Sequence, residues 1–427
     1  MKLTLPYGRT GMDCMIPEDR IQSILESKLD TFRPGSLPED IVKKALEHPI
    51  GTPSLSKMAE GRHKIVIIAS DHTRPVPSKL LMPLLLKEIR RGNPSAEISI
   101  LIATGCHRGT TKDELTDKFG SAIVQSERII IHDCDSKSNV SIGTLPSGGN
   151  CCINKLAVQA DLLVSEGFIE PHFFAGFSGG RKSLMPGVAA RETVLFNHCA
   201  DFIAHPNART GILDGNPIHE DMIWAARQAG LAFILNVVIN SRKEVVYAVA
   251  GAVDAAHQAG CDFLLKYCGV SAPTADIVIA TNGGYPLDQN IYQAAKGICT
   301  AESAVKPGGV IIMLAKSNDG HGGENYYRQF KDSKDLSALL SDFMQRDPKK
   351  TVADQWQTQI QIRALQKASV LYVSDADDQT VRDMHMIPAK SVEEALEKAD
   401  QLIGHRNGRI TVLPDAVSVI YRQSVTL

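Results

Sequence analysis

From residue 64 onward the sequence alternates short apolar segments with amphipathic ones, and this alternation constrains the fold more than any other feature. The segments KIVIIAS (64–70) and EISILIA (97–103) are rich in β-branched residues, and a helical pattern follows each of them. Strands that are apolar along their whole length belong to parallel sheets whose two faces are both covered by helices. The sequence therefore predicts an α/β protein with mainly parallel sheets.

The alternation restarts after residue 270, which predicts a second α/β domain. A chain of 427 residues exceeds the roughly 250–300 residues at which one hydrophobic core usually divides. The segment GVSAPTA (269–275) is short, contains proline and is made of small residues, so it is the expected boundary. We expect domains at 1–270 and 271–427 with an active-site cleft between them. Residues 1–60 give mixed signals, and a helix is predicted near 17–29.

Composition argues against several classes of function. A formal net charge of −2 offers no electrostatic reason to bind nucleic acid or an anionic membrane. No apolar segment approaches the ~20 residues of a membrane span, and the N-terminus lacks the apolar region of a signal peptide. The nine cysteines include no C-x-x-C pair, which is typical of reduced thiols in a cytoplasm and not of a disulfide framework or a zinc site. A cytoplasmic location is expected.

Charged and polar residues follow several predicted strands directly. In open α/β sheets, ligands bind beyond the carboxyl ends of the strands, so these residues are the candidates for one shared pocket. They are Asp71, Thr73 and Arg74 after the first strand, His107 after the second, the segment 170–182 after a later strand, and 282–296 after the first strand of the second domain.

The segment GFSGGRKS (176–183) nearly matches a phosphate-binding P-loop, but Arg181 stands where the second glycine belongs. A nucleoside-triphosphate site is therefore not favoured. No G-x-G-x-x-G follows a strand either, which argues against a dinucleotide site. What remains is a loop that can approach a ligand closely and bring Lys182 to it. The alternative is a surface turn with a solvated lysine.

Two of the thirteen histidines lie just beyond strand ends. His107 and His172 could act as general acid and base on opposite faces of one ligand, although a single histidine is more often a surface or core residue. His198 ends a predicted helix and could bind a metal. Because no H-x-x-x-H or H-E-x-x-H motif accompanies it, a cofactor would have to supply the other ligands.

Cationic side chains near these loops could bind an anion. Arg74 offers a two-pronged contact to a carboxylate, and Lys296 lies on the same predicted helix face as Gln293. A solvated helix face is an equally simple interpretation of Lys296.

The motifs taken together match a known family. ASDHTRPVP, ATGCHRGTT, EGFIEPHFFAGFSGGRKSLMPGVA with the FNH that follows, and DQNIYQAAKG span nearly the whole chain. By these motifs the chain resembles the LarA-type nickel-dependent lactate racemases, which are 2-hydroxyacid racemases and epimerases. The central motif is long enough that chance agreement is negligible.

The resemblance implies a nickel pincer nucleotide, a pyridinium mononucleotide that carries a thioamide and a thiocarboxylate. It implies that Lys182 forms the thioamide and that His198 is the fourth nickel ligand, beside two sulfurs and a ring carbon of the cofactor. A roughly planar set of four donors suits Ni(II). Cofactor-synthesis and nickel-insertion proteins are then the expected partners.

The resemblance also implies a reaction, the racemisation of a small 2-hydroxy acid by hydride transfer through a 2-oxo acid. His107 and His172 would be the two bases. The residues implied to bind substrate are Arg74, Gln293, Lys296, Tyr292 and Trp356, and those implied to bind the cofactor are Lys182, Asp71 and Thr73. Lactate is the expected substrate. The alternatives are a larger 2-hydroxy acid, net oxidation, and a phosphate- or nucleotide-binding protein without racemase activity.

Overall fold

The structure is a computed structural model, and it describes residues 1–424. Its strands are β1 Lys2–Tyr7, β2 Thr10–Met15, β3 Ile21–Ile24, β4 Lys64–Ser70, β5 Glu97–Ala103, β6 Arg128–Ile131, β7 Asn139–Thr144, β8 Asn150–Asn154, β9 Leu162–Phe168, β10 Pro171–His172, β11 Gly176–Phe177, β12 Leu231–Ile239, β13 Val245–Gly251, β14 Gly269–Ala272, β15 Ala275–Thr281, β16 Val305–Leu314, β17 Ser369–Val373, β18 Ile387–Ala389, β19 Ile410–Leu413 and β20 Ile420–Gln423.

The helices alternate with these strands. They are α1 Pro38–Glu47, α2 Leu55–Ala59, α3 Ser78–Gly92, α4 Lys112–Phe119, α5 Ser121–Ser126, α6 Lys155–Val158, α7 Arg191–Asn197, α8 Ala200–Ala204, α9 Pro217–Gln228, α10 Val253–Cys268, α11 Ile291–Ala304, α12 Glu324–Lys331, α13 Leu336–Gln345, α14 Gln355–Lys367, α15 Asp378–Asp383 and α16 Val392–Ile403. Short 3-10 turns lie at Glu18–Arg20, Leu29–Thr31, Gly180–Ser183 and Pro348–Lys350.

The chain forms two compact units. The first unit comprises Leu29–His198 and Asn207–Lys266, and the second comprises Met1–Lys28, Cys199–Pro206 and Tyr267–Leu427. Each unit has its own sheet with helices packed against it. The prediction of two α/β domains with mainly parallel sheets is confirmed.

The sheet of the first unit has the strand order β13-β12-β9-β4-β5-β6. Every neighbouring pair is parallel except β12 with β13. The chain proceeds from β4 to β5 and β6 on one side and then returns to β9 on the other, so its direction across the sheet reverses between β4 and β9. The loops that follow these two strands flank that point, where open α/β sheets bind ligands.

The sheet of the second unit has the order β18-β17-β16-β15-β19-β3, and all of its pairs are parallel. The reversal here lies between β15 and β19. Helix α11 comes soon after β15 and carries Gln293 and Lys296 near its first turn. Asn290 caps this helix, because its side chain accepts a hydrogen bond from the Gln293 N–H.

Local patterns predict some elements well and fail for one. Strands β4 and β5 have the predicted bounds. Helix α4 begins with a capping box formed by Thr111 and Glu114. The prediction of a helix near 17–29 is wrong, because this segment forms a 3-10 turn followed by β3. Strand β3 pairs with β19, and Arg20 is buried in an ion pair with Asp400 at 2.7 Å. These distant contacts outweigh the local helical propensity.

Candidate active site

The loops after β4 and β5 bring Asp71 and His107 together. Their side chains meet at 2.8 Å between His107 Nδ1 and Asp71 Oδ2. The Thr73 N–H and hydroxyl both donate to the other carboxylate oxygen, at 3.2 and 2.6 Å. Asp71 is 1 % exposed. Burial disfavours its ionisation, but the hydrogen bonds from His107 and Thr73 outweigh burial and hold the pKa of this carboxyl below its usual value.

This contact determines which nitrogen of His107 carries the proton. A carboxylate can only accept, so Nδ1 must donate to Asp71, and Nε2 of the neutral ring then keeps its lone pair. The His107 side chain is 46 % exposed, so Nε2 is accessible to a ligand. The arrangement is that of a general base oriented by a buried carboxylate.

Arg74 is the residue after Thr73, in the same loop after β4. Its guanidinium donates to the Thr73 hydroxyl at 3.3 Å and is exposed. Lys118 on α4 donates to the Arg74 carbonyl at 3.2 Å, which ties the loop to that helix. Arg74 therefore presents its charge to solvent beside the Asp71–His107 pair.

A short hairpin and the turn after it bring His172 to Lys182. His172 lies on β10, opposite Gly176 of β11, and Lys182 lies in the 3-10 turn Gly180–Ser183. The Lys182 Nζ is 3.1 Å from His172 Nε2. The Ala175 N–H donates to His172 Nδ1 at 3.2 Å. Because Nδ1 accepts, a neutral His172 carries its proton on Nε2, the opposite tautomer to that of His107.

His198 lies directly after α7 and is 5 % exposed. Burial, with a contribution from the charge of Lys182, lowers the pKa of His198 to about 3. The imidazole is therefore neutral at ordinary pH, which is the state that binds a metal. Its ring meets Phe174 edge to face, with 5.1 Å between centroids.

The Phe174 ring joins these groups into one cluster. It also meets the His172 ring edge to face at 4.5 Å, and the Lys182 Nζ is 5.6 Å from its centroid. We call Phe174, His172, Lys182 and His198 the Phe174 cluster. It brings together a primary amine, an imidazole beside that amine and a second, buried imidazole.

In the second unit, the Trp356 side chain lies close enough to the Tyr292 hydroxyl to oppose, in small part, the rise of the Tyr292 pKa. The Tyr292 hydroxyl donates to Asp354 at 3.0 Å. Burial and the neighbouring Asp354 carboxylate raise the pKa of Tyr292. The hydroxyl is therefore a donor and not a phenolate at ordinary pH.

Gln293 lies at the strand ends of the same unit. Its backbone carbonyl accepts from the Asn282 side chain at 2.7 Å, and Asn282 follows β15 directly at the reversal point of the sheet. The Gln293 Oε1 atom is buried, and within residues 1–424 no hydrogen-bond donor contacts it. A buried amide oxygen without a donor is a site at which a ligand can donate.

The turn around Lys182 is not a phosphate cradle. A P-loop points free backbone N–H groups at phosphate, whereas here the Gly180 N–H donates to the Asn236 side chain at 2.6 Å. The Lys182 N–H donates to the Gly179 carbonyl at 3.1 Å. These amides already donate to protein acceptors, so the near match to a P-loop motif does not produce its geometry.

The described residues offer no metal site built from protein ligands around His198. Among residues 1–424, the group of three potential ligands that lie close together is Asp133, Cys134 and Asp135, and His198 is not part of it. One of these, Asp135, also forms an ion pair with Arg191 at 2.7 Å. A metal at His198 would therefore take its other donors from a bound group.

Sequence reasoning missed two features of the site. Asp71 was expected only as a cofactor-binding residue, whereas it is the hydrogen-bond partner of His107. Arg181, noted only as a departure from a motif, is completely buried beside Lys182. The departure itself was the available signal, because an arginine in place of a glycine inside a tight turn needs room and partners.

The fold and these paired titratable groups at the reversal point of a parallel sheet define an α/β enzyme. The family model for the lactate racemase N-terminal domain matches residues 7–211, and that for the lactate racemase C-terminal domain matches residues 270–421. The chain belongs to the lactate racemase family, which confirms the isomerase class and the family expected from the motifs.

Individual relatives agree with this assignment. The chain is 53% identical over 423 residues to a lactate racemase of Thermoanaerobacterium thermosaccharolyticum, covering 99% of both chains, and 48% identical over 422 residues to one of Lactiplantibacillus plantarum, covering 98% of this chain and 99% of the relative. The solved apoprotein of the former superposes with a TM-score of 0.95, at 99% coverage of this chain and 100% of the other. A Thermotoga maritima protein at 18% identity, with a TM-score of 0.62 and coverage of 94% and 100%, shares the fold.

Within residues 1–424, none of the helices is both long enough and apolar enough to cross a bilayer.

Proposed function

We propose that this protein racemises lactate by means of a nickel pincer nucleotide attached covalently to Lys182. The observation that carries the proposal is the Phe174 cluster, in which the Lys182 amine lies 3.1 Å from His172 and His198 is buried against the same aromatic ring. The identity of 53% to a lactate racemase along nearly the full length supports lactate as the substrate.

The residues present fit such a group. His198 is a buried neutral imidazole that could supply one nickel ligand, while two sulfurs and a ring carbon of the nucleotide would supply the others. Lys182 is a primary amine in a turn between His172 and Phe174, where it could form the thioamide. When bound, the group supplies a hydride acceptor and donor for the C2 carbon of the substrate. Cofactor-synthesis and nickel-insertion proteins would supply it.

His107 and His172 are the proposed bases. The enantiomers of a 2-hydroxy acid differ in where the hydroxyl points when the carboxylate and the C2 hydrogen are held, so one base cannot serve both. His107 Nε2 has its lone pair available because Asp71 holds Nδ1 as a donor. His172 would take the second role once the Ala175 N–H contact at Nδ1 is lost and its proton moves from Nε2 to Nδ1. Return of the hydride to the other face of the resulting 2-oxo acid would give the opposite enantiomer.

The remaining residues would bind and orient. Arg74, with an exposed guanidinium beside Asp71, suits the substrate carboxylate. Gln293 and Lys296 would hold the same carboxylate or the oxo group of the intermediate, and Tyr292 with Trp356 would line the substrate position. Asp71 and Thr73, which are hydrogen-bonded to each other, would line the cofactor side of the site.

The direct test is a screen of the cofactor-loaded protein against single enantiomers of 2-hydroxy acids. The protein is made together with its cofactor-synthesis proteins, and products are separated by chiral chromatography. We expect D- and L-lactate each to reach a racemic mixture without accumulation of pyruvate. Faster conversion of a larger 2-hydroxy acid would reassign the substrate, and a stoichiometric build-up of 2-oxo acid would indicate net oxidation instead.

Asp71→Asn provides a test of the His107 arrangement. An amide can donate to Nδ1, which would move the His107 proton to Nε2 and remove the lone pair that accepts the substrate proton. We expect kcat to fall about 10²–10⁴-fold, the contribution of a positioned general base, while KM for lactate changes little. Asp117→Asn, on the exposed side of α4, is the matched control. Unchanged kcat in Asp71→Asn, with nickel content equal to wild type, would contradict the assignment.

A phosphate- or nucleotide-binding function is the second candidate, and the occupied backbone amides of the Gly180–Ser183 turn argue against it.

A further inference from the structure

Arg181 is the most unusual charged residue in the first unit. Its side chain is 0 % exposed, and within the described chain it forms no ion pair with a carboxylate. Burying an unpaired cation costs several kcal/mol unless strong hydrogen bonds compensate. A residue as costly as this, directly beside the proposed tether, needs a specific explanation.

The hydrogen-bond acceptors of Arg181 are backbone carbonyls, whereas the His257 imidazole beside it donates from Nε2 to the Ser178 carbonyl at 2.8 Å. Its Nη2 donates to the Ala175 carbonyl at 2.8 Å, and its Nη1 contacts the Gly179 carbonyl at 3.4 Å and His257 Nε2 at 2.9 Å. Burial and the Arg181 charge hold the pKa of His257 well below its usual value, so this imidazole is neutral. The guanidinium therefore contacts both the turn of the hairpin β10–β11, at Ala175, and the backbone just after that hairpin, at Gly179.

Each of these carbonyls belongs to a residue whose backbone also contacts His172 or Lys182. The Ala175 N–H donates to His172 Nδ1 and so orients that ring. The Gly179 carbonyl accepts from the Lys182 N–H at 3.1 Å and so positions the tether backbone. The planar guanidinium of Arg181 thus links the backbone that orients His172 to the backbone that positions Lys182.

The backbone around Arg181 also needs support. Gly179 and Gly180 have φ values of 76° and 52°, and a Cβ at Gly180 would lie 2.8 Å from the His257 ring. Glycine here allows the turn but does not stabilise it, because its unfolded chain has the most conformational freedom to lose. Charge-assisted hydrogen bonds are about twice as strong as neutral ones, which makes an arginine an effective clamp.

We propose that Arg181 is a positioning residue that holds the His172 imidazole and the Lys182 amine against each other so that Lys182 can receive the cofactor. The proposal rests on the proposed function for the attachment step, but the geometry it describes belongs to the chain without cofactor. A lysine at this position would reach one carbonyl, and a methionine would reach none.

The test uses the full-length protein without cofactor and compares Arg181→Met and Arg181→Lys with wild type. The matched control is Arg227→Met, which removes an exposed arginine that pairs with Asp254. Amine labelling by trinitrobenzenesulfonate is followed at Lys182 by peptide mass spectrometry and normalised to the other lysines. Circular dichroism and thermal unfolding verify that each variant is folded. In parallel, the same variants are made with the cofactor-synthesis proteins, and the fraction with an adduct at Lys182 is read by intact mass.

We expect Lys182 in Arg181→Met to be labelled at least about fivefold faster than in wild type, the equilibrium effect of losing a single hydrogen bond, because the amine leaves its position beside His172 and Phe174. The adduct fraction should fall by at least a similar factor, and Arg181→Lys should restore part of both. A general loss of stability would not raise the labelling rate of Lys182 alone in folded protein. Arg181→Lys would not restore that rate either.

Wild-type labelling and adduct formation in folded Arg181→Met would overturn the proposal. If that variant does not fold, Arg181→Lys decides: partial loss of both properties supports the clamp, and wild-type behaviour overturns it. If the wild-type chain itself never acquires an adduct, the proposed function fails, while the labelling experiment without cofactor still tests the positioning role.

Discussion

Lys182→Ala is expected to abolish covalent cofactor attachment and, with it, lactate racemisation. Without the amine no thioamide can form, and the remaining contacts would have to hold the nucleotide alone. We expect the intact mass of the protein to equal that of the unmodified chain and kcat/KM to fall by at least about 10⁶-fold, the lower end of enzymatic rate acceleration. Mass spectrometry and a chiral lactate assay on protein made with the cofactor-synthesis proteins measure both effects.

Two variants make this result specific. Lys182→Arg keeps the positive charge near His172 and Phe174 but lacks the primary amine that would form the thioamide. It should therefore lose cofactor attachment and racemisation as completely as Lys182→Ala. Lys112→Ala removes an exposed lysine at the start of α4 and should behave as wild type. An adduct that persists in Lys182→Ala would show that the cofactor is attached elsewhere.

His107→Ala and His172→Ala are expected to lower kcat for lactate racemisation by about 10²–10⁴-fold each, the usual contribution of a positioned acid or base. Each variant keeps one of the two bases, so it should still remove the hydroxyl proton from one enantiomer. A single-turnover experiment with acid quenching reveals this difference. We expect His107→Ala to release 2-oxo acid from one enantiomer of lactate and His172→Ala to release it from the other.

The outcome of this pair discriminates between roles. Opposite enantiomer preferences would support two bases on two faces, whereas equal loss with both enantiomers in both variants would indicate that the histidines only stabilise the site. His63→Gln, an exposed residue before β4, is the control. Near-normal racemisation in both alanine variants would remove His107 and His172 from the mechanism.

The two imidazoles differ in a way that bears on these experiments. Asp71 holds His107 with its proton on Nδ1, while the Ala175 N–H holds neutral His172 with its proton on Nε2. The proton of His172 must therefore move from Nε2 to Nδ1 before Nε2 can accept a proton from a substrate. That change requires loss of the Ala175 N–H contact at Nδ1, because this contact, and not the Lys182 amine at Nε2, determines where the neutral ring carries its proton.

The sequence by itself determined the local structure and the identity of the chemical groups. Segments such as 64–70 and 97–103 become strands with the predicted bounds because a continuous apolar stretch can be buried only inside a covered sheet. The long motif around Lys182 identified the family, since its residue types and spacing carry the chemistry directly. The placement of candidates at strand ends followed from the general geometry of parallel sheets.

Only the tertiary structure decided which groups meet. Asp71 and His107 are 36 positions apart, and Arg181 meets His257 across 76 positions, so neither contact leaves a local signature. Strand β3 forms where a helix was predicted because its partner β19 lies almost 400 residues further along the chain. The reason is common to all three cases: a pattern of residues encodes burial and backbone preference, whereas a proton's position on a ring or the partner of a buried charge depends on atoms that folding brings within about 3 Å.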